Sequence, residues 1–359
     1  MRCNATPAAG RDVLLDGPEA IEGGDSDDRG YAAALRLEHE IARVVIGQGE
    51  VIRLITIAVF ARGHVLLQGD VGGGKTTLLR AFARVIGGSF ARVEGSVDLM
   101  PNDLLYYTYI GEDGRPSIDP GPLLAHGADL SILFFNEITR ARPQVQALLL
   151  RAMAERSVNA FNREHRFPHL SVFADRNRLE REETFDLSSA ALDRFMMEIA
   201  IELPKEKSVT LALMSDPQFH DVDSLLATLP QKVIGHDQLN ALAARIQSQT
   251  IAGPVLLEYA WQLWRATLEP HAVGVKLEGI DMSRLMLAGA SPRGMSMLLR
   301  AARVAAWLEG RNFVAPEDVQ SVFQPVVAHR LVFQPMFEMR RSELAQRLTR
   351  AILDAVAAP

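Results

Sequence analysis

One segment, Gly69-Asp70-Val71-Gly72-Gly73-Gly74-Lys75-Thr76, constrains this chain more than any other. It follows an apolar run, Val65-Leu66-Leu67-Gln68, that reads as a buried strand. It opens a helical stretch from Thr76 to Ile86, with Leu78, Leu79, Phe82, Val85 and Ile86 on one face and Gly87-Gly88 as the stop. Glycines in this pattern let backbone N–H groups turn inward around phosphate oxygens, and the helix N-terminus adds partial positive charge. Lys75 then neutralises the β- and γ-phosphates of a nucleotide, and Thr76 holds Mg²⁺. The ligand expected is ATP with Mg²⁺, cradled by Gly69, Asp70, Val71, Gly72, Gly73, Gly74, Lys75, Thr76 and Thr77.

Further strand candidates are Phe90–Val93, Ile132–Phe135, Leu170–Ala174 and Met196–Leu203, with helices between them, notably Pro143–Glu155. Such alternation implies an α/β fold with a parallel sheet covered on both faces. After Pro204 the pattern is helical only, with segments opening at Pro254, Pro292 and Pro316, where a missing N–H costs nothing. Residues 1–30, rich in Gly, Pro and Asp, read as a disordered acidic tail. The expected division is therefore tail 1–30, nucleotide-binding core 31–203, and helical lid with a C-terminal helix 204–359.

The net charge of -6 comes with no basic stripe, which argues against a nucleic-acid partner. No segment is long and apolar enough to span a bilayer, and the start lacks a signal-like apolar core, so a cytoplasmic location is expected. Cys3 is the single cysteine, which excludes an intramolecular disulfide, and the nine histidines show no metal-ligand spacing.

A second site element is Ile132-Leu133-Phe134-Phe135-Asn136-Glu137, an apolar strand ending in polar residues, like the Walker B element that is usually written Asp-Glu. Glu137 is the candidate catalytic carboxylate that orients or deprotonates water. Asn136 stands at the metal-supporting position, where an amide accepts a hydrogen bond but brings no charge. That difference predicts slow hydrolysis and a raised Mg²⁺ requirement.

The segments Glu137-Ile138-Thr139-Arg140-Ala141-Arg142-Pro143, Ile46-Gly47-Gln48 and Asp98-Leu99-Met100-Pro101-Asn102-Asp103 stand in one order with Ala190-Ala191-Leu192-Asp193-Arg194-Phe195 and Gly289-Ala290-Ser291-Pro292-Arg293. Together they resemble the MoxR family of AAA+ ATPases, over about residues 35 to 357. The resemblance implies a P-loop NTPase (AAA+) core followed by an all-α lid, working as a ring, with six subunits expected. It implies sensor 1 at Asn177, an arginine finger at Arg194 and sensor 2 at Arg293. Two hairpins, over residues 105–119 and 157–167, match inserts of this branch that face a pore or a client.

Departures from the family pattern are Asp70-Val71, where two prolines are usual, and Asp175-Arg176-Asn177-Arg178, where Thr-Gln-Asn-Pro is usual. The implied function is remodelling or maturation of a client protein complex, including cofactor or metal insertion, often beside a von Willebrand factor A-domain partner. The alternative is a scaffold that ATP assembles, with little or no hydrolysis because of Asn136.

Overall fold

The structure is a computed structural model that describes residues 24–69, 72–176 and 185–359. In chain order, α1 (Gly24–Val44) and α2 (Gly49–Phe60) precede β1 (Val65–Gly69), α3 (Lys75–Ile86) and β2 (Ser89–Glu94). A hairpin, β3 (Tyr106–Ile110) and β4 (Pro116–Pro120), leads to β5 (Leu130–Asn136) and α4 (Pro143–Glu155). A second hairpin, β6 (Ser157–Ala160) and β7 (Arg163–Arg166), leads to β8 (Ser171–Arg176), the short α5 (Ser189–Leu192) and β9 (Met197–Ile201). Then come α6 (Lys207–Ser215), α7 (Val222–Ala227), α8 (Leu239–Gln249) and α9 (Pro254–Leu268). The chain ends through β10 (Met286–Ala288), α10 (Pro292–Leu308), α11 (Pro316–Val327), β11 (Val332–Phe333) and α12 (Arg341–Ala355).

Five strands form one parallel sheet in the order β2-β5-β8-β1-β9. Its strands are near-continuous apolar runs because both faces are covered. Val65, Leu67, Ile132, Phe134 and Phe173 point to one face, and Leu66, Leu133, Phe135, Val172 and Ala174 to the other. β8 is the pivot: Leu67 of β1 lies opposite Asp175, and Phe135 of β5 lies opposite Ala174. The C-terminal ends of β1, β5 and β8 therefore open side by side. The two hairpins lie together at the surface, with the rings of Tyr106 and Phe161 4.7 Å apart.

Three features differ from the sequence expectation. Of the tail expected over 1–30, residues 1–23 lie outside the described residues, and the chain is helical from Gly24. A composition poor in apolar residues reads as disorder because it offers little surface to bury, yet it does not forbid helical backbone. The helical lid carries a small antiparallel ribbon, β10 with β11, too short to produce an alternating sequence signal. Finally, the segments on either side of Pro204 are not separate in their cores. A continuous cluster of buried apolar residues runs from Ala34 through the sheet to Val356. Phe60 of α2 packs on Trp307 of α10 with centroids 5.4 Å apart, and Arg300 of α10 donates to the carbonyl of Ala61.

At the foot of the sheet, His64 is buried with both ring nitrogens used. Nδ1 accepts from the Val172 N–H at 2.9 Å, which leaves Nε2 as the donor to the Met153 carbonyl at 3.1 Å. Burial, with the nearby Arg156 guanidinium adding to it, pushes its pKa down to about 3. A second proton on Nδ1 would face the Val172 N–H. Because the folded pKa is depressed, the stability this neutral imidazole contributes is present above its unfolded pKa near 6.5 and is lost as pH falls towards 3. His64→Ala should cost about 1–3 kcal/mol at neutral pH, because it leaves buried partners unmade. The gap between variant and wild type should narrow below pH 6, as checked by urea unfolding across a pH series.

Candidate nucleotide site

The turn between β1 and α3 is built on glycine for two separate reasons. At Gly69 an added Cβ would lie 2.5 Å from the Ile201 carbonyl of β9, so the strand pair can close only on a residue without a side chain. Gly72 and Gly74 have φ of +86° and +76°, and no described residue lies within 4 Å of where a Cβ would stand. Among the described residues no side chain caps α3. Its first N–H groups, which lack intrahelical partners, therefore face that turn. Asp70 and Val71 lie outside the described residues. Thr76 and Thr77, in the first turn, are half-buried.

Lys75 reaches back over the turn. Its Nζ donates to the Gly69 carbonyl at 2.8 Å and pairs with Asp175 Oδ2 at 2.7 Å, with both side chains largely buried. The other oxygen of Asp175 accepts the backbone N–H of Glu137. One carboxylate thus ties the loop after β1 to the turn after β5. Sequence reading missed Asp175, although an acid ending the apolar run Leu170–Ala174 was a visible signal.

Glu137 has φ +55°, a conformation uncommon for a residue with a Cβ and worth roughly 1–2 kcal/mol of strain. Its neighbours hold it there: Gly95 donates to the Asn136 carbonyl at 2.8 Å, and a Cβ on Gly95 would collide with the Glu137 carbonyl. The Glu137 carboxylate pairs with Arg140 at 2.9 Å. The Asn136 amide donates to Glu94 on β2, which also pairs with Arg92 at 2.8 Å. Asn177, expected as sensor 1, lies outside the described residues.

Arg194 and Arg293 are not brought to Lys75 or Glu137; among the described residues neither pairs with them. Arg194 donates to the Ala190 carbonyl at 3.0 Å, and Arg293 rests 3.4 Å from Asp193. Asp193 gathers the helical region onto the core. Ser291, the N-cap of α10, donates to it at 2.7 Å, and Arg330 does so at 3.0 Å. Arg330 is only 1% exposed, and burial lowers its pKa to about 10 against the opposing pull of Asp193. It also donates to the carbonyls of Phe195 and Met196, and Gly294 leaves room for it, since a Cβ there would meet Arg330 Cδ at 2.6 Å. Between core and lid lies a cleft of about 830 Å³ lined by Gln48, Gln68, Arg176, Glu198, Pro204 and Arg350.

A parallel sheet carrying a glycine cradle, a lysine at its mouth and a helical cap define the class, a P-loop ATPase of the AAA type. Residues 64–197 match the ATPase family associated with various cellular activities (AAA), and residues 283–351 match the AAA lid domain. Protein MoxR of Methylorubrum extorquens is 56% identical over 91% of this chain and 95% of its own length. Protein MoxR of Paracoccus denitrificans is 53% identical over 93% and 99%. Chaperone MoxR1 of Mycobacterium tuberculosis is 31% identical over 89% and 81%. The crystal structure of a candidate ATPase from Cytophaga hutchinsonii superposes with a TM-score of 0.81 at 25% identity, covering 94% of this chain and 99% of the other. The chain belongs to the MoxR family of AAA+ ATPases. No described helix is long and apolar enough to cross a membrane.

Asp193→Asn should destabilise the fold by about 3 kcal/mol, because it leaves the buried Arg330 charge without its counter-charge. Urea unfolding of the purified variant measures this; an effect below about 1 kcal/mol, the scale of an exposed ion pair, would contradict it.

Proposed function

We propose that this chain binds and hydrolyses Mg-ATP at the β1–α3 turn, as a subunit of a ring that remodels a client protein complex. The observation that carries the reading is Lys75, largely buried at a helix N-terminus that no described side chain caps, beside the glycine cradle, with Glu137 on the adjoining turn. The residues present suit the ligand. The cradle N–H groups and Lys75 would receive phosphate oxygens, Thr76 would hold the metal at the first turn of α3, and the adjacent cleft has room for the nucleoside. Mg²⁺, when bound, supplies positive charge across the β- and γ-phosphates.

Glu137 orients the attacking water and takes its proton as the new O–P bond forms and the bond from the γ-phosphorus to the bridging oxygen breaks. Asn177 helps position that water. Before this, Glu137 has to leave Arg140. Arg194 lies at the end of a short helix on the core and acts on the nucleotide of a neighbouring subunit. Arg293 leaves Asp193 to sense the γ-phosphate through the lid. A guanidinium suits both tasks because its planar fork matches phosphate oxygens.

The family likeness supports the reading of six subunits, a von Willebrand factor A-domain partner and a client matured by cofactor or metal insertion; a cytoplasmic location is part of the same proposal. Support for chaperone-like work is the similarity to a relative named Chaperone MoxR1. Native co-purification identifies the client and the partner. The second reading is a scaffold assembled by ATP with negligible turnover, and the Arg140 pairing of Glu137 favours it. Steady-state phosphate release separates the two, with Glu137→Gln as the blank.

ATP with Mg²⁺ should raise the melting temperature of the wild type, since it binds only the folded state, and Lys75→Ala should abolish that shift while keeping the unliganded fold. An intact shift in the variant would mean that the site lies elsewhere. For the ring, specific activity should rise with protein concentration. Arg194→Ala should bind ATP nearly as well as wild type but lose ~10³–10⁵-fold in turnover. Activity unchanged down to a monomeric sample would rule out action across a subunit boundary.

A further inference from the structure

The C-terminal edge of the sheet carries a row of polar side chains, one from each of three adjacent strands. Glu94 of β2 lies opposite Asn136 of β5 in the parallel register. Asn136 in turn follows Phe135, which lies opposite Ala174, so the next residue of β8, Asp175, is its neighbour on the other side. An aspartate at 136 would place carboxylates on three strands in a row, and like charges so close resist joint ionisation. The amide relieves this, and its N–H is used by Glu94. In this row Asn136 is turned towards β2. The carboxylate that faces the cradle, paired with Lys75 and bonded to the Glu137 N–H, belongs to Asp175.

We infer that Asp175, not residue 136, supplies the negative charge that supports Mg²⁺ at this site. The inference rests on the Mg-ATP reading above and assigns a positioning role within it. Asp175 is 1% exposed and already lies against the lysine that would receive the phosphates. A buried carboxylate here has two uses in sequence. Before nucleotide arrives it holds the Lys75 charge, which otherwise would be buried without a counter-charge. With nucleotide bound, Lys75 turns to the phosphates, and Asp175 is left as a buried carboxylate at the start of α3. There it can accept hydrogen bonds from the hydration shell of a hard cation that favours anionic oxygen. Its bond to the Glu137 N–H links the metal-facing carboxylate to the turn that carries the candidate base.

The chemistry predicts a split between nucleotide binding and metal dependence. Asp175→Asn keeps the shape but removes the charge. Binding of a fluorescent ATP analogue without Mg²⁺ should be unchanged or tighter, because Lys75 no longer has a rival anion. The Mg²⁺ concentration for half-maximal binding of the analogue should rise ~10–100-fold, the range for loss of a metal's supporting partner. A residue that merely props up the fold would weaken both. Asn136→Asp alone should lower the Mg²⁺ midpoint by no more than about threefold, well below that range, because the charge is already present. The double variant Asn136→Asp/Asp175→Asn restores one carboxylate to the row and should recover most of the lost Mg²⁺ affinity.

All three variants are measured in the full chain beside wild type, with thermal melts to establish folding. An Asp175→Asn variant with a wild-type Mg²⁺ midpoint would overturn the inference. So would an Asn136→Asp variant that gains tenfold or more, and this arm decides the matter even where Asp175→Asn does not fold. Failure of the wild type to bind the analogue with or without Mg²⁺ would instead remove the Mg-ATP reading, and the inference with it.

Discussion

β8 runs between β1 and β5 in the parallel sheet, and that placement decides what meets what at the site. Parallel strands a single spacing apart put their last residues about 5 Å from each other, so a side chain on the middle strand can touch both flanking loops. Asp175 does so, taking Lys75 on one side and the Glu137 N–H on the other. Without an anion there, the lysine would be a largely buried charge with only a carbonyl for company. The left-handed turn at Glu137 would also lose one of the bonds that hold it. The glycines matter for the same reason. Gly69 lets β9 close on β1, and Gly95 lets β2 approach the Glu137 turn, so the sheet can bring these ends into register.

The joint with the lid uses the same kind of device at a second carboxylate. Asp193 sits one residue before Arg194 and receives Ser291, Arg293 and Arg330 from the lid. Arg330 is buried and has several carbonyl partners, whereas Arg293 is exposed and holds on by a single longer contact. The unequal grips divide the labour. Arg330 fixes the lid, and Arg293 is the cation that can be drawn elsewhere without undoing the joint.

Much of this was legible in the residues. The strand at Val65, the helix opening at Lys75 and the helix from Pro143 follow from apolar runs, glycine stops and proline starts that are local in the chain. Asn136 was legible as a departure, but its neighbours were not. The sequence alone shows an amide ending an apolar strand, and only the sheet order brings Glu94 and Asp175 beside it. Arg330 was equally invisible, because its partner Asp193 is 137 positions away and nothing near Arg330 announces it. The ribbon of β10 and β11 is too short to have a pattern. The early start of α1 escaped notice because its first residues carry no apolar periodicity to announce a helix.

The apolar cluster that runs unbroken from Ala34 to Val356 has a consequence for inheritance as well as for folding. A cap that merely sat on its base could be exchanged between related chains like a cassette. Here α10 is seated against α2 through Phe60, Trp307 and Arg300, so a foreign cap would arrive with the wrong knobs for these holes. A substitution on one of the two surfaces constrains what the other can accept. Grafting experiments on such proteins should therefore move the segment containing α1 and α2 together with the helices beyond β9, as one heritable unit.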